Sequence, residues 1–450
     1  MSSPTRSTGP LRRPTPPADP PLRSRRVPLP TALRPLRHRD FALLAGAGLI
    51  SHIGTWMQTV AVGALVIDQT GQATWVALVA IAQFLPLGLL SPVGGALADR
   101  MPRKPFLVAG YSMATVVAFV LAGMSAAGRL GPGVLVGFVL VGGTIGALLF
   151  PFQQAILPEL VPPDDLVGAV SIGSAEFNLG RVVGPALAGV VIAGWGATAV
   201  FVINGVSFLA IVVAVGVITL RPPAGSAERM WRSIRSGAKA AWTQPACRAA
   251  VSLIGIVAIF VSPFIALVPA VADLFADGEK EIAAATGTLI TVQGIGAVLG
   301  AFASAPLTER FGHQGAFTLN TVGVTVALVL YAASPTLVLA TLSLFLVGFA
   351  YIGILNGLAA VVQLRAPEEF RGRIISLYFT ALTLIYPLGA FVHGAIADAV
   401  GLRFTTAGAA MAMMVILAGL TGTRRLLPAL DPPSSEAAST VGAEPIEAVT

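Results

Sequence analysis

Between residues 41 and 424 the chain alternates long apolar runs with short polar interruptions, and no run shows the two-residue alternation of a strand. Each run is long enough to cross a bilayer as a helix. Inside lipid every backbone N–H and C=O needs a protein partner, so only helices or closed barrels can span, and uninterrupted runs select helices. The pattern predicts an all-α, polytopic membrane protein with twelve spans, at 41–67, 73–98, 105–127, 132–156, 166–192, 196–219, 248–272, 283–308, 314–334, 336–363, 372–397 and 402–424.

The sharpest interruption follows Gly95, where Asp99, Arg100, Arg103 and Lys104 crowd together between two spans. A charge near the bilayer centre costs about 3 kcal/mol, so this stretch is expected as a tight water-side hairpin. A weaker copy stands 210 positions later: Leu307, Glu309 and Arg310 match Leu97, Asp99 and Arg100, and Gly312 stands where Pro102 stood. One charged hairpin per half predicts two pseudo-symmetric six-helix bundles, 41–220 and 248–425, a parallel repeat of the kind found in transporters. Between them lies a cytoplasmic linker, 221–247, in which Trp231, Ile234, Ala238, Ala241 and Trp242 recur at helical spacing among Arg229, Arg232, Arg235 and Lys239. This predicts an amphipathic helix lying on the membrane. Residues 1–40 and 426–450 are expected to be disordered tails, the first basic and cytoplasmic.

Composition narrows the class. With 55% hydrophobic and 11% charged residues and a mean hydropathy of +0.83, a water-soluble globular domain is excluded. The net charge of +7 points to no nucleic acid once its distribution is read. Of the 28 Lys and Arg residues, 24 fall in the two tails, the charged hairpins, the linker and the other connections on the same side. That bias predicts both termini in the cytoplasm. The single cysteine, Cys247, excludes a disulfide framework and a thiolate metal cluster.

Four features could carry mechanism. The hairpins can act as latches, with Asp99 set against the positive end of another helix and Arg103 or Lys104 paired with a carboxylate; solvated topological turns are the alternative. In span five, Gly180, Gly184, Pro185 and Gly189 allow close helix approach and a kink, or serve ordinary small-residue packing. The same span holds Glu176 and Arg181, about 140° apart around a helix, so each needs its own partner or a wet cavity. In span one His52, Thr55, Trp56 and Thr59 share one helical face beside Gln58. Counted from their cytoplasmic ends, His52 and Glu176 both lie about 16 Å deep at 1.5 Å per residue. There a titratable pair could exchange a proton for cargo, or simply be hydrogen-bonded between helices. Tyr351, Asn356 and Tyr378 are further pathway candidates among scattered polar residues that also fit interhelical hydrogen bonding. A cavity of Trp, Tyr, Gln and Thr suits an amphipathic cargo.

Taken together, Gly95, Leu97, Asp99, Arg100 and Arg103 resemble the loop signature of the major facilitator superfamily, and Gly180, Gly184, Pro185 and Gly189 resemble its antiporter motif in span five. Ser51 to Gln58, the Leu157-Pro158-Glu159-Leu160-Val161-Pro162 turn and Asn178-Leu179-Gly180-Arg181 are similar to the branch of enterobactin-type siderophore exporters and drug or macrolide efflux proteins. The resemblance covers about residues 36–425. It implies the major facilitator fold, with Asp99 stabilising the outward-open state against span eleven and Gly184-Pro185 sealing the bundle interface. Between Gly133 and Ile156 no Arg matches the one many drug/proton antiporters use, so coupling is expected to run through other groups.

The expected function is secondary export of a small amphipathic molecule, such as a drug or siderophore, by alternating access in a bacterial cytoplasmic membrane, coupled to protons. The protein is expected to be a monomer with no cofactor. Uptake of a small organic solute is the rival within transport, and a non-transporting receptor the rival outside it. An enzyme is not expected: H-E-x-x-H, G-x-S-x-G and phosphate-loop motifs do not occur.

Overall fold

A computed structural model of the chain describes residues 31–220, 239–423 and 426–431. The linker positions Arg229, Trp231, Arg232, Ile234, Arg235 and Ala238 lie outside the described residues. Among the described residues ten segments are long and apolar enough to cross a membrane, and no strand occurs. We number the helices α1 (Arg39–Thr70), α2 (Ala73–Ala98), α3 (Arg103–Ala126), α4 (Pro132–Leu160), α7 (Pro245–Ala272), α10 (Leu337–Arg365), α11 (Arg371–Val400) and α12 (Leu402–Thr423). The remaining two segments, Leu166–Val217 and Gly278–Ala333, contain 52 and 56 residues.

At 1.5 Å per residue either long segment would measure about 80 Å, far beyond a hydrocarbon core of about 30 Å. Each instead doubles back at one glycine with positive φ, Gly196 (77°) and Gly312 (71°). Packing shows the reversal. Gly180 and Gly184, before the first break, lie against His52 and Trp56 of α1, while Asn204 and Ser207, after it, lie against Gly54 of the same helix. Likewise Gly296 and Gly300 pack on Phe345 and Phe349 of α10, and Asn320 packs on its Gly353. The segments therefore divide into α5 (166–195) and α6 (197–217), and α8 (278–311) and α9 (313–333). Counting each as a pair brings the total to twelve, as the apolar pattern predicts. The α7 segment is itself broken at Val261 to Pro263, where the Val257 carbonyl accepts from the N–H groups of Val261 and Ser262.

Two tail expectations need correction. The first described residues of the basic tail form a short helical turn, Thr31–Arg37, and His38 contacts Asp165 at 2.8 Å. At the other end, residues 426–431 are not loose. Leu427 and Leu430 are completely buried. Asp431 accepts from the N–H of His313 at 2.6 Å and of Gln314 at 3.3 Å, capping α9 at its reversal. Four initial N–H groups of any helix lack intrahelical partners, and a carboxylate there also meets the positive end of the helix dipole.

Within the bundles the core is built largely from small residues, because lipid tails compete with apolar side chains and close backbone packing must hold helices together. Ala61 and Ala64 of α1 and Ala249 and Ala250 of α7 are fully buried. Two antiparallel seams join the bundles, beside a contact of α1 with α7 at Gly63 and Pro269. In one, α2 meets α11, from Gly88 against Leu384 to Gly394 against Ala73 and Thr74. In the other, α5 meets α8, from Val182 against Gly294 to Gly189 against Ala284. Both seams run from mid-helix to the end opposite the Asp99 hairpin, here termed the far end. On the hairpin side of these seams the same helices carry exposed apolar residues, such as Val170, Phe302 and Phe379.

Candidate functional site

The hairpin forms because Gly95 accepts the Asp99 N–H at 3.2 Å, closing α2, and Pro102 starts the next helix. Asp99 and Arg100 are exposed. Arg103 turns back into its own bundle, pairing with Glu159 of α4 and donating to the carbonyls of Ala98 at 3.4 Å and Ala155 at 3.2 Å. Lys104 donates to the Ile218 carbonyl at 2.8 Å. In the weaker copy Glu309 and Arg310 are exposed, with the Arg310 guanidinium 5.4 Å from the Phe311 ring centre. Among the described residues, no cross-bundle hydrogen bond involves Asp99, Arg100, Glu309 or Arg310.

Cross-bundle polar contacts gather instead toward the far end. Asp398, closing α11, accepts from the N–H of Ala73 at 2.7 Å and Thr74 at 3.1 Å, and from the Thr74 hydroxyl. Glu279 at the start of α8 accepts from the Ala197 N–H at 3.2 Å, and Lys280 donates to the Ala193 carbonyl at 3.2 Å. Near mid-helix the Thr291 hydroxyl donates to the Val182 carbonyl at 3.1 Å and Arg181 donates to Gln293 at 2.6 Å.

The span-five glycines serve two partners. Gly180 and Gly184 face α1, where a Cβ would come within 2.8 Å of the His52 Cβ and 2.6 Å of the Trp56 Cβ. Pro185 and Gly189 face α8. With Glu176 lying over Gly48, the parallel helices α1 and α5 keep a constant offset: 48 beside 176, 52 beside 180, 56 beside 184. This corrects the depth expected for Glu176, which lies one turn nearer the hairpin end than His52. Phe177 sits between the two helices, its ring edge-on to His52 at 5.8 Å and tilted against Trp56 at 5.9 Å.

Two cavities open beside this pair. The larger, about 300 Å³, lies within the first bundle and is lined by Ser51, His52, Thr55, Gln58, Gln83 and Gln153 among apolar residues. Its floor is polar but satisfied: Asn204 donates to Gln58 at 2.8 Å and accepts from the buried Ser207 hydroxyl at 3.0 Å. The smaller, about 70 Å³, lies between the bundles and is lined by Trp56, Arg181, Gln293, Phe84, Phe264 and Tyr386. Thr59, Val79, Gln83 and Phe84 line both, making them neighbours across one wall. Glu176, Tyr351, Asn356 and Tyr378 line neither cavity. Tyr351 is buried against the Ser262 hydroxyl at 2.8 Å, Tyr378 donates to the Leu355 carbonyl at 2.9 Å, and Asn356 is exposed. Among the described residues no three His, Cys, Asp or Glu residues are grouped to hold a metal ion.

Sequence reasoning overlooked Asp398, Glu279 and Asp431, all of which cap a helix remote in sequence. A signal for Asp398 exists: Gly394-Ala395-Ile396-Ala397-Asp398 repeats Gly95-Ala96-Leu97-Ala98-Asp99 with one conservative change.

Known proteins agree with this architecture. A solved bacterial homologue of the human lysosomal transporter Spinster superposes with a TM-score of 0.71 at 16% identity, covering 89% of this chain and all of that one. The multidrug efflux pump Tap of Mycolicibacterium fortuitum is 27% identical over 394 residues, 83% of this chain and 93% of that protein. Macrolide efflux protein A of Streptococcus pyogenes is 25% identical over 361 residues, 75% of this chain and 84% of that protein. The transmembrane secretion effector family model matches residues 30–449, nearly the whole chain. The protein is therefore a multi-pass membrane transporter, not an enzyme, and belongs to the transmembrane secretion effector family of the major facilitator superfamily.

Proposed function

We propose that this transporter exports a small amphipathic molecule from a bacterial cytoplasm by alternating access, driven by protons. One observation carries the reading: the cross-bundle hydrogen bonds of Asp398, Glu279, Lys280, Thr291 and Arg181 all lie at mid-helix or toward the far end. The Lys and Arg bias assigns the hairpin end to the cytoplasm. The chain is then closed outside and open inside, the state in which an exporter loads. Relatives named for multidrug and macrolide efflux support this direction and class of cargo. The larger cavity supports it too, since its wall is mainly apolar with a few amide, hydroxyl and imidazole groups.

In the opposite state Asp99 takes the role that Asp398 holds here, capping the start of α11 at Arg371. The two matching pentapeptides, one closing α2 and the other closing α11, support this exchange of latches. Glu176 and His52, one turn apart along the α1/α5 seam, are the proposed proton carriers. Accumulation of ethidium and erythromycin by everted vesicles, with and without an uncoupler, tests direction and coupling. Glu176→Gln is expected to abolish uphill transport while leaving downhill exchange intact. Wild-type uphill transport by that variant removes Glu176 from coupling, and uncoupler-insensitive transport removes the proton.

A further inference from the structure

The smaller cavity contains a charge for which the described residues supply no counter-charge. Arg181 is half-buried at mid-helix between the bundles, and among the described residues it forms no ion pair. Neither cavity is lined by an Asp or Glu. Its guanidinium carries five N–H donors in a fixed fork, and its hydrogen bond to Gln293 is to a neutral amide oxygen, at 2.6 Å. Gln293 is 3% exposed, and its side-chain nitrogen has no hydrogen-bond partner. Flipping the amide would not help, because it would set that nitrogen against the guanidinium, donor against donor. The orientation is therefore fixed by Arg181, leaving a buried amide donor and a cation on one wall.

A buried donor left unsatisfied is destabilising, and an unpaired buried charge more so. A ligand oxygen anion would relieve both, since a carboxylate offers two acceptor atoms to a guanidinium and an amide together. Trp56, Phe84, Phe264 and Tyr386 supply flat apolar surface around it. We propose that Arg181 and Gln293 form an anion subsite, and that the cargo is an amphipathic molecule carrying a carboxylate or similar acidic group, held there while its apolar body occupies the adjoining larger cavity. The identity of the anion as part of the cargo rests on the transport reading above; the subsite itself does not.

Trp56 lies in the same wall and reports on the subsite. With full-length protein in nanodiscs, the Trp56 signal is taken as the difference from Trp56→Phe and titrated with iodide, and with neutral acrylamide as an access control. Saturable iodide quenching is expected, weakened about tenfold or more in Arg181→Gln and about two- to tenfold in Gln293→Leu, partly restored in Arg181→Lys, with acrylamide quenching unchanged in all. Acetate and benzoate should displace iodide, and everted vesicles should accumulate carboxyfluorescein in an Arg181-dependent way. Linear iodide quenching that Arg181→Gln leaves unchanged, or absent acrylamide access, overturns the subsite. Displacement by chloride but by neither carboxylate overturns the acidic-cargo assignment in favour of an inorganic-anion site. Saturable quenching with no transport of any cargo overturns the transport reading and leaves the subsite standing.

Discussion

Asp398, the last acidic residue of α11, accepts a hydrogen bond from the backbone N–H of Ala73, the first residue of α2, at 2.7 Å, tying one bundle to the other. The bond is made to an otherwise unpaired amide at the positive end of a helix, so it adds a charge–dipole attraction. It exists only while the far ends are together. Its loss should therefore act on the balance between states more than on the fold of either bundle.

Asp398→Ala is expected to cost about 0.5–2 kcal/mol of the far-end closure, the range for losing a helix cap. That corresponds to a roughly two- to thirtyfold fall in the closed-to-open ratio at 25 °C. The check is maleimide labelling of a cysteine placed at Val170, which is exposed on the hairpin half of α5, in a Cys247→Ala background. Labelling should slow in Asp398→Ala and quicken in Asp99→Ala; equal rates in all three would eliminate the exchange of latches.

The α1/α5 seam has no room for a methyl group at Gly184, where a Cβ would fall 2.6 Å from the Trp56 Cβ and 2.9 Å from the Ile53 carbonyl. Overpacking of this kind costs about 1–3 kcal/mol. Gly184→Ala should lower the thermal midpoint in detergent and reduce transport. Gly173→Ala, a change in the same helix where nothing lies within 4 Å, should leave the midpoint unchanged or raise it slightly, since Ala is the better helix former.

Asp431→Ala should expose the start of α9. Hydrogen exchange of the His313 and Gln314 amides is expected to quicken, while amides in mid-α9 stay protected. Leu430→Ala, which empties a fully buried site, should cost about 2–5 kcal/mol by the usual penalty for such truncations. Unchanged exchange at His313 in Asp431→Ala would show that this cap carries no stability.

At the far end of α7, Asp273 has its carboxyl raised above the ordinary Asp range by burial first, and then by Asp68 and Asp277. A raised folded value means that the folded state holds the proton more tightly than the unfolded one. Stability contributed by this group is thus present at low pH and is lost as pH rises from the ordinary Asp value through the raised one. Asp273→Asn should accordingly stabilise the protein at pH 7 and above, with the gain vanishing near pH 4. Thermal midpoints of the two proteins across that range provide the comparison, and a gain that grows toward low pH would contradict the assignment.

Much of this architecture is legible in the sequence because lipid imposes a coarse, strong rule: long apolar runs must be helices. A carboxylate partner for Arg103 or Lys104 is legible in the charge cluster, but spacing names neither Arg103 as the one that pairs nor Glu159 as its partner. The latch contacts were harder to read. Asp398 closes a span, where a lone acidic residue reads as ordinary water-side punctuation, and only its cap on a helix 325 positions away gives it meaning. Short loops expected after spans five and eight vanish because Gly196 and Gly312 reverse the chain at a single residue. Residues 426–431 resembled the start of a polar tail by composition, yet Leu427 and Leu430 find a buried site. The pairing of Glu176 with Gly48 and not His52 depends on how far one helix is shifted along another, which counting from span ends does not fix.

The fixed offset between α1 and α5 has a mechanical consequence. Helices meshed at Gly48, Gly180 and Gly184 cannot slide past each other without driving backbone into backbone, so the first bundle must travel as one piece. On the proposed motion, displacement falls at the contacts between the bundles, and the α2/α11 and α5/α8 seams both reach to mid-helix, at Gly88 with Leu384 and at Val182 with Gly294. If the bundles rock as proposed, those two points are the fulcrum of a lever, and Arg181 sits directly beside one of them, so an arm swinging open at either mouth would turn about the residue proposed to grip the load.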